Sequence, residues 1–218
     1  MAKKKLVHFT ENLTFPHLFQ PRYDELVPIF RMRSLWGREY FGNDHPVILE
    51  LGCGKGEYTV GLAKKYQERN FIGIDIKGAR LWRGCKTVSE TGMKNVAFIR
   101  THANNLPNLF APAEVSEIWI TFPDPQPKHE RKRLTSPGFI ERFRQVLAPG
   151  GVVHLKTDDE PFYQYTLEVI EQLALKVQWK TDDLYHSGTV HDAASVKTYY
   201  EERWLEAGKK ICYVRFSL

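Results

Sequence analysis

Glu50-Leu51-Gly52-Cys53-Gly54-Lys55-Gly56 sets one carboxylate two residues ahead of three alternate glycines, and Asp75 stands 19 residues after the last of them. Glycine has no Cβ and tolerates positive φ, so such a stretch lets backbone pass close to a ligand. A dinucleotide fingerprint needs the wider spacing G-x-G-x-x-G, with a pyrophosphate on the following helix N-terminus. The tighter spacing with an acid beside it suits a ligand bearing an ammonium group. Asp75 suits a ribose, whose two hydroxyls can both donate to one carboxylate. S-adenosylmethionine carries both groups. A nicotinamide cofactor is the runner-up, and a tight turn without a ligand is the plain alternative.

A second constellation follows at Thr121-Phe122-Pro123-Asp124-Pro125. Two prolines fix φ and keep the residues before them extended, so Asp124 projects from a stiff segment. A turn-forming Asp is the plain alternative. Lys128-His129-Glu130-Arg131-Lys132-Arg133 starts four residues later. A charge run is usually a solvated loop, but cations flanking a reactive carboxylate suit a phosphate backbone. The amino-terminal stretch adds Lys3, Lys4, Lys5, Arg22, Arg31, Arg33 and Arg38 among Phe15, Phe19, Tyr23 and Trp36. Arginine with aromatics is a composition of RNA contact surfaces; the same aromatics could equally pack that stretch onto a core.

These residues need elements to hold them. Val47–Leu51 and Phe71–Asp75 are short aliphatic runs that read as buried strands, and Asn95–Arg100, Val115–Phe122 and Gly151–Thr157 continue the series. Helical patterns lie between them, at Glu57–Arg69, Ala79–Glu90 and Pro161–Leu173, the last opening on a proline suited to a first helical turn. Pro149-Gly150-Gly151 is expected to separate helix from strand. Strand candidates Lys176–Lys180 and Ile211–Phe216 bracket a helical stretch, Ser195–Ala207. The alternation predicts an α/β, doubly wound, seven-stranded, mostly parallel sheet with its last strand antiparallel, the Rossmann-like sheet of S-adenosylmethionine-dependent methyltransferases. In such sheets ligands sit at the carboxyl ends of the strands, where Glu50, Asp75, His102 to Asn104, Asp124 and Asp158 all fall. Residues 1–45 are expected to form an arm with one short helix near Tyr23 to Trp36, and 46–218 the catalytic domain.

At 218 residues, with 42% hydrophobic and 26% charged residues, the chain suits one α/β domain with a real core. A net charge of +5 permits a polyanionic partner without requiring one. Cys53, Cys85 and Cys212 are scattered and show no zinc spacing or disulfide framework, so no metal is expected and the thiols fit a reducing cytoplasm. No apolar run approaches a membrane span. The residues leave monomer and homodimer open.

Glu50-Leu51-Gly52-Cys53-Gly54-Lys55-Gly56, Phe122-Pro123-Asp124-Pro125 with Lys128 and its basic loop, Lys156-Thr157-Asp158, and Thr198-Tyr199-Tyr200-Glu201 occur in that order. From about Gly42 to the C-terminus the chain resembles the bacterial tRNA (guanine-N7)-methyltransferases. The glycine motif is shared by most S-adenosylmethionine-dependent methyltransferases; the F-P-D-P segment and the late T-x-Y-E are specific. The resemblance implies cofactor contacts from Glu50, Gly52, Gly54, Asp75, His102, Asn104 and Asp124, with Asp124 also as the catalytic acid. It implies contacts to the target nucleotide, in the tRNA variable loop, from Lys128, Asp158, Thr198, Tyr199, Tyr200 and Glu201. RNA would be held by His129, Arg131, Lys132 and Arg133. The chain departs from the family at His102, where an Asp is usual and Asn104 can take over its hydrogen bond. It departs again at Gln126, where a Trp is usual, and in a slightly shorter basic loop.

Guanine N7 has an in-plane lone pair, so its methylation removes no proton, and positive charge passes from sulfonium to purine. Such an enzyme must align two centres and stabilise a newly cationic ring, for which Asp124, Asp158 and Glu201 are the candidate carboxylates. Leu184 to His191 lacks a period and is either a lid ordered by substrate or a plain surface loop. Two rivals remain at this level: a methyltransferase of proteins or small molecules, which has no need of the basic loop, and an RNA-binding protein without catalysis, which has no need of Glu50 and Asp75.

Overall fold

The computed structural model describes residues 2–188 and 192–218, with side chains described from Lys5 onward. Eight strands form one sheet: β1 (Leu18–Phe19), β2 (Val47–Leu51), β3 (Asn70–Asp75), β4 (Val96–Arg100), β5 (Val115–Thr121), β6 (Leu147–Thr157), β7 (Lys176–Thr181) and β8 (Cys212–Ser217). Their order across the sheet is β1-β4-β3-β2-β5-β6-β8-β7. β8 runs antiparallel to both neighbours, and every other pairing is parallel. The seven expected strands are present with the last one antiparallel; the eighth comes from the amino-terminal stretch.

Among the described residues eight α-helices accompany the sheet: α1 (Ala2–Asn12), α2 (Tyr23–Leu26), α3 (Glu57–Lys65), α4 (Gly78–Thr91), α5 (Leu106–Leu109), α6 (Pro137–Arg144), α7 (Glu160–Gln172) and α8 (Tyr199–Glu206). The pleat divides the core in two. Leu49, Ile72 and Ile118 face Phe139 and Phe143 of α6 and Phe162 of α7. Ile48, Phe71 and Trp119 face Tyr58 and Leu62 of α3 and Leu81 of α4. Because successive side chains of a strand point to opposite faces, a run such as Val47–Leu49 is apolar throughout when helices cover both sides.

Phe98 shows why glycine recurs around the ligand-side turn. It is fully buried, and a Cβ added at Gly56, Gly73 or Gly84 would come within 2.6, 2.7 and 2.7 Å of its ring. Gly56 also has φ +70°, so both its backbone and its lack of side chain are required. This ring seats the start of α3, a strand and a turn of α4 on one another.

The amino-terminal stretch departs from expectation. The helix proposed for Tyr23 to Trp36 shrinks to α2, because Pro28 cannot continue it; a π-helical turn at Trp36–Phe41 follows. Trp36 is fully buried, donates its indole N–H to Leu109 O at 3.0 Å and meets Phe19, Phe30, Tyr40 and Phe110. Phe15, Phe19 and Trp36 therefore pack the stretch onto the sheet, while Tyr23 stays exposed. The break at Pro149-Gly150-Gly151 lies inside β6: Leu147 pairs with Val115, the chain bulges, and Val152 resumes opposite Glu117. α3 and α8 are shorter than the helical patterns, ending at Lys65 and starting at Tyr199.

Phe98→Ala should cost about 3–5 kcal/mol, because the three glycines around the ring cannot fill the space it leaves. Urea unfolding checks this, and a loss below about 1 kcal/mol would show that the ring is not what joins these elements.

Candidate active site

Glu50 ends inside the protein with 5% of its surface exposed. Its Oε2 accepts from Thr59 N at 2.8 Å and from Thr59 Oγ1, and its Oε1 accepts from Thr121 Oγ1 at 2.5 Å. Thr59 lies in the first turns of α3 and Thr121 ends β5, so one carboxylate ties three elements together. Among the described residues no cation forms an ion pair with it. Burial pushes its pKa up to about 7, against the hydroxyl and amide donors that pull the other way. Glu50 lines a cavity of about 270 Å³ with Gly52, Gly54, Thr121, Phe122, Thr198 and Tyr200.

A second cavity of about 450 Å³ shares Gly52 with the first and is lined by Asp75, His102, Ala103, Asn104, Gln126 and Lys132, among others. Asp75 Oδ2 accepts from Gly54 N at 2.9 Å and its Oδ1 from Lys77 N at 2.7 Å, so this acid also shapes the glycine turn. Gly52, Gly54 and Gly56 all have positive φ. The two hollows thus meet at the glycine turn, one with a buried, unpaired carboxylate and one with a half-buried carboxylate beside polar side chains. Carboxyl groups lining two hollows that share a glycine turn can accept from a cation at one end of a ligand and from hydroxyls at the other.

Asp124, expected to contact the cofactor, lies between Phe122 and Gln126 in the chain and lines neither hollow itself. Phe122 lines the first and Gln126 the second, and Asp124 is exposed, its Oδ1 accepting from Gln126 N at 3.1 Å. Phe122 and Gln126 both sit at positive φ, +48° and +46°. A left-handed backbone at non-glycine residues costs of order 1–3 kcal/mol each and persists only where the surroundings impose it. Arg133 is one of those surroundings. It is 8% exposed, donates Nε–H to Pro125 O at 3.0 Å, pairs with Glu130 and stacks 4.2 Å over Tyr165.

Several residues expected at the site face elsewhere. Arg133, grouped with the RNA contacts, turns inward and braces the Asp124 segment, whereas Lys128, His129, Arg131 and Lys132 are exposed. Glu201 is fully buried in an ion pair with Lys156 at 2.6 Å. Asp158 pairs with Lys209 at 2.9 Å. Thr198 caps α8 and, with Tyr200, lines the first cavity. Tyr199 and Tyr200 are half exposed beneath Lys55, whose Nζ lies 5.3 and 5.5 Å from their rings. Thr59, Thr121, Arg80, Trp204 and Lys156 also lie at or next to the first cavity, with no role legible in the sequence. The first two follow from the need of a buried carboxylate for donors, but no spacing rule identifies them. In the stretch Leu184 to His191, Leu184 is anchored through its N–H to Ile211 O and Tyr185 through its hydroxyl to Glu201; Thr189, Val190 and His191 lie outside the described residues. No group of three or more metal-ligating side chains and no helix long and apolar enough to cross a membrane occurs among the described residues.

The profile of the family described as "Putative methyltransferase" matches residues 44–214. A relative from Bacteroides thetaiotaomicron named tRNA (guanine-N(7)-)-methyltransferase is 50% identical over 220 residues, covering 100% of this chain and 87% of its own. One of the same name from Christiangramia forsetii is 48% identical over 221 residues and covers 100% and 99%. Among solved structures, the 16S rRNA methyltransferase KamB superposes with a TM-score of 0.64 at 15% identity, over 82% of this chain and 90% of that one. An antibiotic-related methyltransferase does so at 0.59 and 18%, over 83% and 90%. At such identities the likeness is one of fold.

Because the raised pKa of Glu50 favours its neutral form in the ligand-free fold, its contribution to stability is present below pH 4.5 and lost as pH rises through about 7. A ligand ammonium needs the ionised form. Affinity for S-adenosylmethionine should therefore climb by up to about tenfold per pH unit below pH 7 and level off above it, while Glu50→Gln should flatten the profile. Calorimetry across that range decides; a flat wild-type profile would contradict the assignment.

Proposed function

This chain belongs to the tRNA (guanine-N(7)-)-methyltransferase family, and from that premise we propose how its residues divide the work of methylating guanosine in tRNA. The residues fit the cofactor: Glu50 and the turn at Gly52 and Gly54 would hold the amino acid end of S-adenosylmethionine, and Asp75, His102 and Asn104 its adenosine. When bound, that group supplies an electrophilic methyl on a sulfonium.

The single observation that carries the reading is the different state of three carboxylates. Asp158 and Glu201 are engaged by Lys209 and Lys156, while Asp124 has no cationic partner among the described residues. An exposed anion without a counter-ion among the described residues, on the segment whose Phe122 and Gln126 line the two hollows, is the one available to a ring that becomes cationic. Its stiff support suits this role, since a preorganised anion needs no rearrangement as charge develops. Guanine N1–H and the exocyclic amine become better donors as the ring gains charge, so a hydrogen bond to Asp124 strengthens in the transition state. No residue has to act as a base, because N7 loses no proton.

Thr198, Tyr199 and Tyr200 line or flank the opposite lip, where an aromatic face can stack on a base. Lys128, Arg131 and Lys132 would meet phosphates near Asp124, with Arg133 keeping the loop in place from within. The target guanosine is assigned to the variable loop of tRNA on the family resemblance.

Incubating the protein with labelled S-adenosylmethionine and unmodified tRNA, followed by nucleoside analysis, should yield 7-methylguanosine. Asp124→Ala should reduce kcat by a factor of 100 or more, about 3 kcal/mol of transition-state stabilisation, and change cofactor affinity by less than about threefold. A variant methylating tRNA near the wild-type rate would overturn the role of Asp124.

A further inference from the structure

The ion pair between Lys156 and Glu201 has no exposed surface on either side chain, yet lies one side chain away from the first cavity. We propose that Lys156 and Glu201 are positioning residues: together they latch residues 192–199 onto α3 and so set Thr198, Tyr199 and Tyr200 in place for the tRNA guanosine. This rests on the reading that the guanosine docks at that lip. Neither latch residue touches the substrate.

Residues 192–199 run along α3 from its end to its start. Asp192 Oδ1 accepts from Lys65 Nζ at 3.0 Å and from the Tyr66 hydroxyl. The Tyr58 hydroxyl donates to Ala193 O at 3.4 Å. Val196 packs over Gly61, where an added Cβ would come 2.5 Å from Val196 Cγ1. Tyr199 N donates to Glu57 Oε2 at 3.0 Å, at the first residue of α3. The strap therefore reaches the lip beside the glycine turn.

Lys156 grips this strap beneath the lip. Its ammonium donates to Ala193 O at 2.6 Å and Val196 O at 3.1 Å and pairs with Glu201 Oε1 at 2.6 Å, so its three protons all have acceptors. Glu201 Oε1 also accepts from the Tyr185 hydroxyl at 2.5 Å, and its Oε2 accepts from Thr198 N at 3.2 Å. Thr198 Oγ1 in turn accepts from Glu201 N at 3.3 Å, closing a capping box at the start of α8. The same lysine's carbonyl accepts from Phe122 N at 2.8 Å, two residues before Asp124. One residue of β6 thus contacts both lips of the site.

Stability alone does not account for such a pair. Apolar replacement of a buried ion pair is often neutral or stabilising, whereas loss of one partner strands a charge. Its use here is geometric: the acceptors it meets on Ala193 and Val196 belong to the segment that runs from the turn at Asp192–Ala194 to the start of α8. Burial draws the Lys156 pKa down to about 8, a shift opposed by Glu201.

The test is Lys156→Met with Glu201→Gln, which removes both charges while the amide keeps the helix cap. The expected result is a thermal midpoint within a few degrees of wild type, a cofactor affinity within about threefold, and a kcat/KM for tRNA lowered at least about tenfold through KM. Gly61→Ala, which leaves the pair intact but displaces Val196, should shift the tRNA kinetics in the same direction. Wild-type tRNA kinetics in both, or a loss of cofactor affinity as large as the loss for tRNA, would overturn the latch. Tyr200→Ala separates the two readings. If it leaves tRNA kinetics unchanged, the docking lip itself is wrong; if it impairs them while the latch variants behave as wild type, only the latch falls.

Discussion

Burying the Glu50 carboxylate without a counter-ion is the constraint to which the rest of the site answers. A carboxylate in so dry a place is costly unless hydrogen-bonded, and the donors come from Thr59 on α3 and Thr121 on β5. Those bonds fix where α3 starts relative to β2, and hence the path of the glycine turn between them. Asp75 fixes the same turn from the other side through Gly54 N. The result is a pair of hollows that share Gly52, with the buried Glu50 carboxyl lining one and Asp75 lining the other. A ligand cation beside it would favour the ionised form of that carboxyl.

The remaining acids and bases of the rim are sorted by their partners. Lys209 and Lys156 engage Asp158 and Glu201, whereas Asp124, between two prolines and within two residues of left-handed Phe122 and Gln126, is exposed and has no ionic partner among the described residues. The basic loop is sorted likewise. Arg133 is inside, bracing Pro125, while Lys128, Arg131 and Lys132 remain on the surface where a phosphate could reach them. Charge here is therefore divided between groups paired within the fold and groups exposed on its surface.

The central strands and their carboxyl ends were legible in sequence because strands buried on both faces need apolar runs, and Val47–Leu49, Phe71–Ile74, Val96–Ile99 and Ile118–Ile120 are such runs. The glycine turn was legible for the same local reason: its residues act through their own backbone. What stayed hidden depends on distant partners. β1 has two residues and no pattern, and it exists only because it pairs with β4. Trp36 and Phe19 looked as suited to RNA as to packing, since composition does not reveal which face a ring finds. Arg133 sits at the end of a charge run and differs from its neighbours only through Tyr165 and Pro125. Glu201 belongs to a motif that reads as a substrate contact, yet its buried partner Lys156 lies 45 positions earlier in the chain.

The most direct test of the account is a carbon-detected NMR titration of the Glu50 side-chain carboxyl in the presence and absence of S-adenosylmethionine. Without ligand it should titrate near pH 7, and with ligand bound it should stay ionised well below that. Ordinary carboxylate titration in the free protein, or a midpoint unmoved by the ligand, would contradict the claim that this buried acid is held for a ligand's cation.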